Sequence, residues 1–194
     1  MKGFQQERFM LITHEREKLI QAIIFFVSNT QHCHKIKLFK LLYFLDFEHF
    51  KETGRSVTGS DYSAWPKGPV PVDLMAEIEL PQPDMAASIR FSNQAIRNGQ
   101  QVMLNIEPRI EFSSKNFTKR ELGLMRRLAE EYRSTLADDM IEATHLENMP
   151  WDKVFNQQGA RQQRIPYELA IRSQEIDALM RVARDRKELM ECLR

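Results

Sequence analysis

Cysteine is nearly absent from this chain: Cys33 and Cys192 are the only two. Two are too few for a disulfide scaffold or a structural zinc finger, and they suit free thiols in a reducing compartment. Glycine is also scarce, at seven in 194 residues. No phosphate-cradling glycine loop, GxSxG elbow, dinucleotide-binding glycine pattern or HExxH pair occurs. Neither sign of charge dominates, with 28 Lys and Arg against 27 Asp and Glu. A net +1 creates no broad field toward nucleic acid. Long hydrophobic runs are missing too. The most apolar stretch, Leu19 to Val27, is broken by Gln21 and is far too short to span a bilayer. The start, Met1 to Lys18, is rich in Glu, Arg and Gln and has no apolar signal-peptide core. The expectation is a cytoplasmic protein without membrane contact.

What is present is ordinary globular material: 42% hydrophobic residues, 28% charged and a mean hydropathy of −0.48. That is enough chain for one domain with a sizeable core over 1–194. Leu19, Ile20, Ile23, Ile24 and Val27 recur at helical spacing and predict a helix over 15–28. A second helix runs from about His34 to Lys51 and stops before Gly54. It is apolar around most of its circumference. Phe25, Phe26, Phe39, Phe44, Phe47 and Phe50 lie in these two helices, which mark the centre of the core. Thr58 to Trp65 reads as a short strand. The run Pro66-Lys67-Gly68-Pro69-Val70-Pro71 excludes a helix interior, and Pro71 suits the first turn of a short helix to about Glu79. Pro81 and Pro83 read as its end. Ser88 to Phe91 and Val102 to Ile106 flank Asn98-Gly99, a hairpin turn signal. Thr118 to Glu121 has capping-box spacing for a helix to about Tyr132. A shorter helix follows near Leu136 to His145, an irregular stretch opens at Pro150-Trp151, and a last helix covers about 173–193. The fold class is α+β: mainly helical, with a small antiparallel sheet.

Few residues suggest chemistry. His32-Cys33-His34 is the one metal-like cluster, but adjacent residues seldom converge on one ion and no second element completes a set of four. Loop polarity is the favoured reading, and no metal or cofactor is expected. Nothing in the spacing pairs Cys33 with a distant His as a nucleophile. The pairs Glu130-Glu131 and Asp138-Asp139 fall on expected exposed helix faces. Asp46 is different: it falls among Leu42, Phe39 and Phe50, so its burial needs a partner. It reads either as a hydrogen-bonding anchor for the Trp65 to Pro71 loop or as a catalytic acid with a raised pKa. The anchor is favoured, since no second catalytic group is identifiable. Lys37, Lys40, Glu48 and Lys51 form the polar stripe of the second helix, with Phe44 in its middle. Phe44 reads as cover for a neighbouring helix or as an exposed anchor for a partner. Lys115 to Arg133 carries six basic and three acidic residues, a solvated face rather than a nucleic-acid strip.

Three motifs in order carry a resemblance. Leu41-Leu42-Tyr43-Phe44 opens into Asp46, Trp65-Pro-Lys-Gly68-Pro69-Val follows, and His145 precedes Pro150-Trp151. This set resembles the Panacea domain, the SocA-like antitoxin family, over about residues 15–170. The resemblance implies a helical domain with a small sheet, and an antitoxin that neutralises a cognate toxin encoded beside it by direct binding. It implies no catalysis. An alternative within the family is an adaptor that delivers the toxin to a AAA+ protease, and a third reading is an enzyme acting on the toxin or its product. Tyr43, Asp46, Trp65, Lys67, Gly68, Pro69, His145 and Trp151 are the signature positions and are expected to be architectural. Toxins differ among members, so partner contacts are expected outside the signature, on Lys37, Lys40, Phe44, Glu48 and Lys51. Homo-oligomers are left open.

Overall fold

A computed structural model describes residues 14–96, 101–146 and 149–171, together with positions 181, 184, 185, 188 and 192. The fold is mainly helical α+β, with two two-stranded antiparallel sheets among the described residues.

Two long helices come first: α1, Glu15–Asn29, and α2, Lys35–Thr53. Gly54 ends α2 in the left-handed conformation at φ 69°, and its N–H donates to Phe50 O at 2.8 Å. Helix α2 is the axis of the molecule. Leu38, Leu41, Leu42, Tyr43 and Leu45 are buried on every side of it. Around it pack α1, the first hairpin, and the later helices α5 (Lys119–Glu131) and α6 (Ala137–Thr144). A helix apolar all round needs such a complete sleeve.

The first hairpin joins β1, Tyr62–Trp65, to β2, Gly68–Pro71, across a Pro66-Lys67 turn. A later stretch lies along the free edge of β1: Ile165 N–H donates to Tyr62 O at 2.7 Å, and Ala64 N–H to Gln163 O at 2.8 Å. Helix α3, Val72–Glu79, leads to α4, Pro83–Ser88. Arg16 of α1 clamps both, reaching Glu77 and Asp84 with its guanidinium. The second hairpin pairs β3, Ile89–Ile96, with β4, Gln101–Pro108. Helix α5 opens with the expected capping box, in which Thr118 and Glu121 exchange hydrogen bonds. Glu121 is also held by Lys18 at 2.7 Å, which fixes α5 against α1. Helix α7, Pro150–Asp152, continues into a wider π-type turn, Lys153–Gln157, and a 3₁₀ turn covers Tyr167–Ala170.

Several expectations change. The strand expected from Thr58 begins only at Tyr62, because Val57 and Thr58 curl around Asp46. Pro83 starts α4 instead of ending a helix, since the first turn has no use for the missing N–H. The strands of the second hairpin are longer than the apolar runs suggested; its Asn98-Gly99 turn lies outside the described residues. So does most of the helix expected over 173–193, of which the five described positions are helical.

Candidate functional site

The signature residues converge on two polar knots beside α2. The first is Asp46, fully buried on α2. Its Oδ1 accepts from the N–H groups of Val57 and Thr58, both at 2.8 Å. Its Oδ2 accepts from Thr58 Oγ1 at 2.5 Å and from Tyr62 Oη at 2.8 Å. Burial pushes the carboxyl up to about 6, and these four donors pull against that rise. Every acceptor direction is turned toward the protein itself, so Asp46 is an anchor. The segment it anchors is Val57 to Tyr62, upstream of the Trp65 to Pro71 loop expected from the sequence.

The second knot centres on Lys40. Its ammonium is buried and donates to Pro69 O at 2.8 Å. Burial lowers its pKa to about 7. Gly68 runs directly over it at φ 91°, where L side chains are strained. A Cβ at position 68 would fall 2.6 Å from Thr144 Oγ1 and 2.7 Å from Lys40 Nζ. Only glycine fits between the hairpin, α2 and the end of α6. His145, the next residue, stacks on Trp151 with ring centroids 3.7 Å apart and planes 9° apart. The Trp151 indole N–H donates to Trp65 O at 2.9 Å, which ties α7 to the turn of the first hairpin. Burial and the nearby Lys40 charge lower the His145 pKa, and its Nε2 is buried without a hydrogen-bond partner among the described residues. The Tyr43 hydroxyl is likewise buried without a partner in good geometry and faces the Trp151 backbone amide. Tyr43, Gly68, Pro69, His145 and Trp151 therefore form one packed joint. Lys67 stands apart from them: it occupies the hairpin turn and is exposed.

The partner stripe expected on α2 needs correction. Lys37, Lys40 and Phe44 are buried, at 1%, 1% and 6% exposure. Lys37 Nζ donates to three carbonyls, of Gln31, Arg133 and Thr135, and pins the α1–α2 loop to the α5–α6 loop. Phe44 stacks on Tyr132 with centroids 5.3 Å apart and planes 8° apart, so it covers a neighbouring helix. The stripe is continuous on the helix surface, but its first half lies under other elements. Glu48, paired with Arg127, and exposed Lys51 reach the surface. They rim a cleft of about 640 Å³, with Phe44, Phe47 and Tyr132 on its floor and Leu146 and Met149 at its mouth.

Cys33 is buried, and burial pushes its thiol up to about 11. His34 Nδ1 meets Leu104 O at 3.0 Å. Among the described residues no three His, Cys, Asp or Glu side chains come together as a metal site. On the basic segment, Arg120 pairs with Glu52 and Arg127 with Glu48 and Glu131. No helix among the described residues is long and apolar enough to cross a membrane. The sequence pattern missed a small apolar pocket at the first hairpin's turn, where Trp65, Val70 and Met75 face Ile36 and Phe39 of α2. Its only sequence signal was the unsatisfied apolar character of Trp65-Pro66 beside Lys67.

No curated protein and no solved structure matches the chain. The family model of the antitoxin SocA-like, Panacea domain matches residues 38–152. The matched stretch opens in α2 at Leu38 and closes at Asp152, so it takes in both polar knots and the joint between them. With more than half of its length matched, the chain belongs to the SocA-like antitoxin, Panacea-domain family.

Proposed function

We propose that this protein is an antitoxin that neutralises a toxin encoded beside it by stoichiometric protein–protein binding. The family match over residues 38–152 carries this reading. The chemistry of the signature supports it. Asp46 accepts only from groups of its own chain, and Lys40 donates to its own backbone. Groups spent in this way build a rigid scaffold and are not themselves aimed at a substrate. A scaffold that presents surface is what masking a partner requires.

Titration of the neighbouring gene product with this chain tests the proposal. Toxin activity should fall to zero at about one equivalent. Complete inactivation by a small fraction of an equivalent points to turnover and overturns the reading. Protection should also persist in cells lacking ATP-dependent proteases. Loss of protection there replaces masking by delivery to a protease.

A further inference from the structure

The pocket at the first hairpin's turn has a chemical character that selects an occupant. Its floor is apolar: Ile36 and Phe39 from α2, Val70 and Met75 from the other side, and the half-buried Trp65 as one wall. Its volume is about 330 Å³, near the lower limit of ligand pockets. Among the described residues every charged group around it is cationic: Lys35 and exposed Lys67 stand on the rim, the stem of Lys40 lies at the base, and no carboxylate lines it. Among the described residues no acidic side chain pairs with Lys35 or Lys67, whereas Arg16 and, on α5, Arg120 and Arg127 are already engaged with Glu and Asp. An apolar centre inside a rim of one sign is the make-up of an interface hot spot that also steers its partner.

We infer that this pocket docks an acidic segment of the partner protein and seats one large apolar side chain of that segment between Lys35 and Lys67. The inference rests on the antitoxin reading and adds where the toxin is held and what it presents there. Charge complementarity selects the occupant: two ammonium groups without a carboxylate partner among the described residues flank the apolar floor, that of Lys35 lying 6.0 Å over the Phe39 ring, so an apolar residue flanked by Asp or Glu fits and a basic segment is repelled. The larger cleft rimmed by Glu48 and Lys51 has both signs around it and favours neither. The docking pocket is built directly on the packed joint. Gly68, Pro69 and the Trp65 carbonyl hold the turn in place, so the rim is presented on a fixed frame.

The test is a double charge reversal, Lys35→Glu with Lys67→Glu, in the full chain. Both substitutions suit the fold. Lys35 opens α2, where the helix dipole favours an acidic side chain, and Lys67 is exposed in a turn. Unchanged thermal unfolding checks this. The probe is the purified protein encoded by the neighbouring gene, with Lys115→Glu, exposed elsewhere, as the control. The double variant should bind at least about tenfold more weakly, the control should bind as wild type does, and wild-type affinity should fall as salt is raised. A double variant that binds and neutralises like wild type overturns the pocket and leaves the antitoxin reading standing. Wild-type protein that neither binds nor neutralises that toxin overturns both. Octanoate serves as the small-molecule probe. If it changes Trp65 fluorescence in wild type only, while the double variant still neutralises, the pocket belongs to a small amphiphile and the protein-docking inference falls.

Discussion

Asp46 and Lys40 are both charged, both buried on the same helix, and bonded in opposite senses. Asp46 gathers four donors, so its removal leaves those donors without an acceptor. Asp46→Ala should cost at least about 3 kcal/mol, since each orphaned buried group costs ~1–3 kcal/mol. Asp46→Asn should cost less, because one oxygen can still accept from the Val57 and Thr58 amides. Urea denaturation of the two variants compares them, and equal losses would mean that the charge matters more than the acceptor geometry. Lys40 gives a pH dependence instead. Burial lowers its pKa to about 7, against ~10.4 in an unfolded chain. Below pH 7 both states carry the proton. Between about pH 7 and 10 only the unfolded chain does, so stability should rise with pH across that window. The rise relative to Lys40→Met should be at most about 1.4 kcal/mol per pH unit. A wild-type profile parallel to that of Lys40→Met between pH 7 and 10 would refute it. His145, the titratable neighbour of Lys40, has its pKa lowered and so lies outside this window.

Between elements, close approach and stacking decide the outcome of substitution. Gly68 and Gly123 are opposite cases. Gly68→Ala puts a methyl against Thr144 and Lys40 at a positive φ and should cost about 2 kcal/mol or more. Gly123 lies within α5 with nothing within 4 Å of an added Cβ. Gly123→Ala should stabilise by about 0.5–1 kcal/mol through helix propensity. Thermal melts of the pair should move in opposite directions. Phe44 joins α2 to Tyr132 at the end of α5, so Phe44→Ala should cost about 3–5 kcal/mol. A variant with wild-type stability would restore Phe44 as a surface anchor. Much of this layer was legible beforehand. Helical spacing located α1 and α2, the capping box located α5, and Gly54 marked the end of α2. The interior lysines were not legible. A helical wheel assigns Lys37 and Lys40 to the one polar stripe, and a wheel assumes that such a stripe faces water. Their ammonium groups end instead on backbone carbonyls, of two loops for Lys37 and of β2 for Lys40, up to 98 residues away in sequence. The nearly complete apolar circumference of α2 was the available warning, because a helix enclosed along most of its length keeps little solvent face.

For the whole molecule, the position of α2 has a thermodynamic implication. Helices α1, α5 and α6 and the first hairpin use it as their packing surface, so they lose their shared core once α2 is released. Urea unfolding followed by far-ultraviolet circular dichroism and by fluorescence of buried Trp151 should give coincident transitions. Separated midpoints would show that a subset of the fold survives alone. The strip of chain along β1 has a second implication, in the order of events during synthesis. Arg164 reaches Asp61 across 103 residues, and Ile165 and Gln163 complete the β1 edge from the same distance. Such high contact order makes closure slow. At ~5–20 residues per second, the ribosome leaves that edge unpaired for roughly 5–20 s after the hairpin itself is made. Through that interval the nascent chain carries an open strand edge, a site for chaperones and for mispairing. A chain cut short before residue 162 never closes it, so a damaged or unfinished message yields a polypeptide exposed to proteolysis.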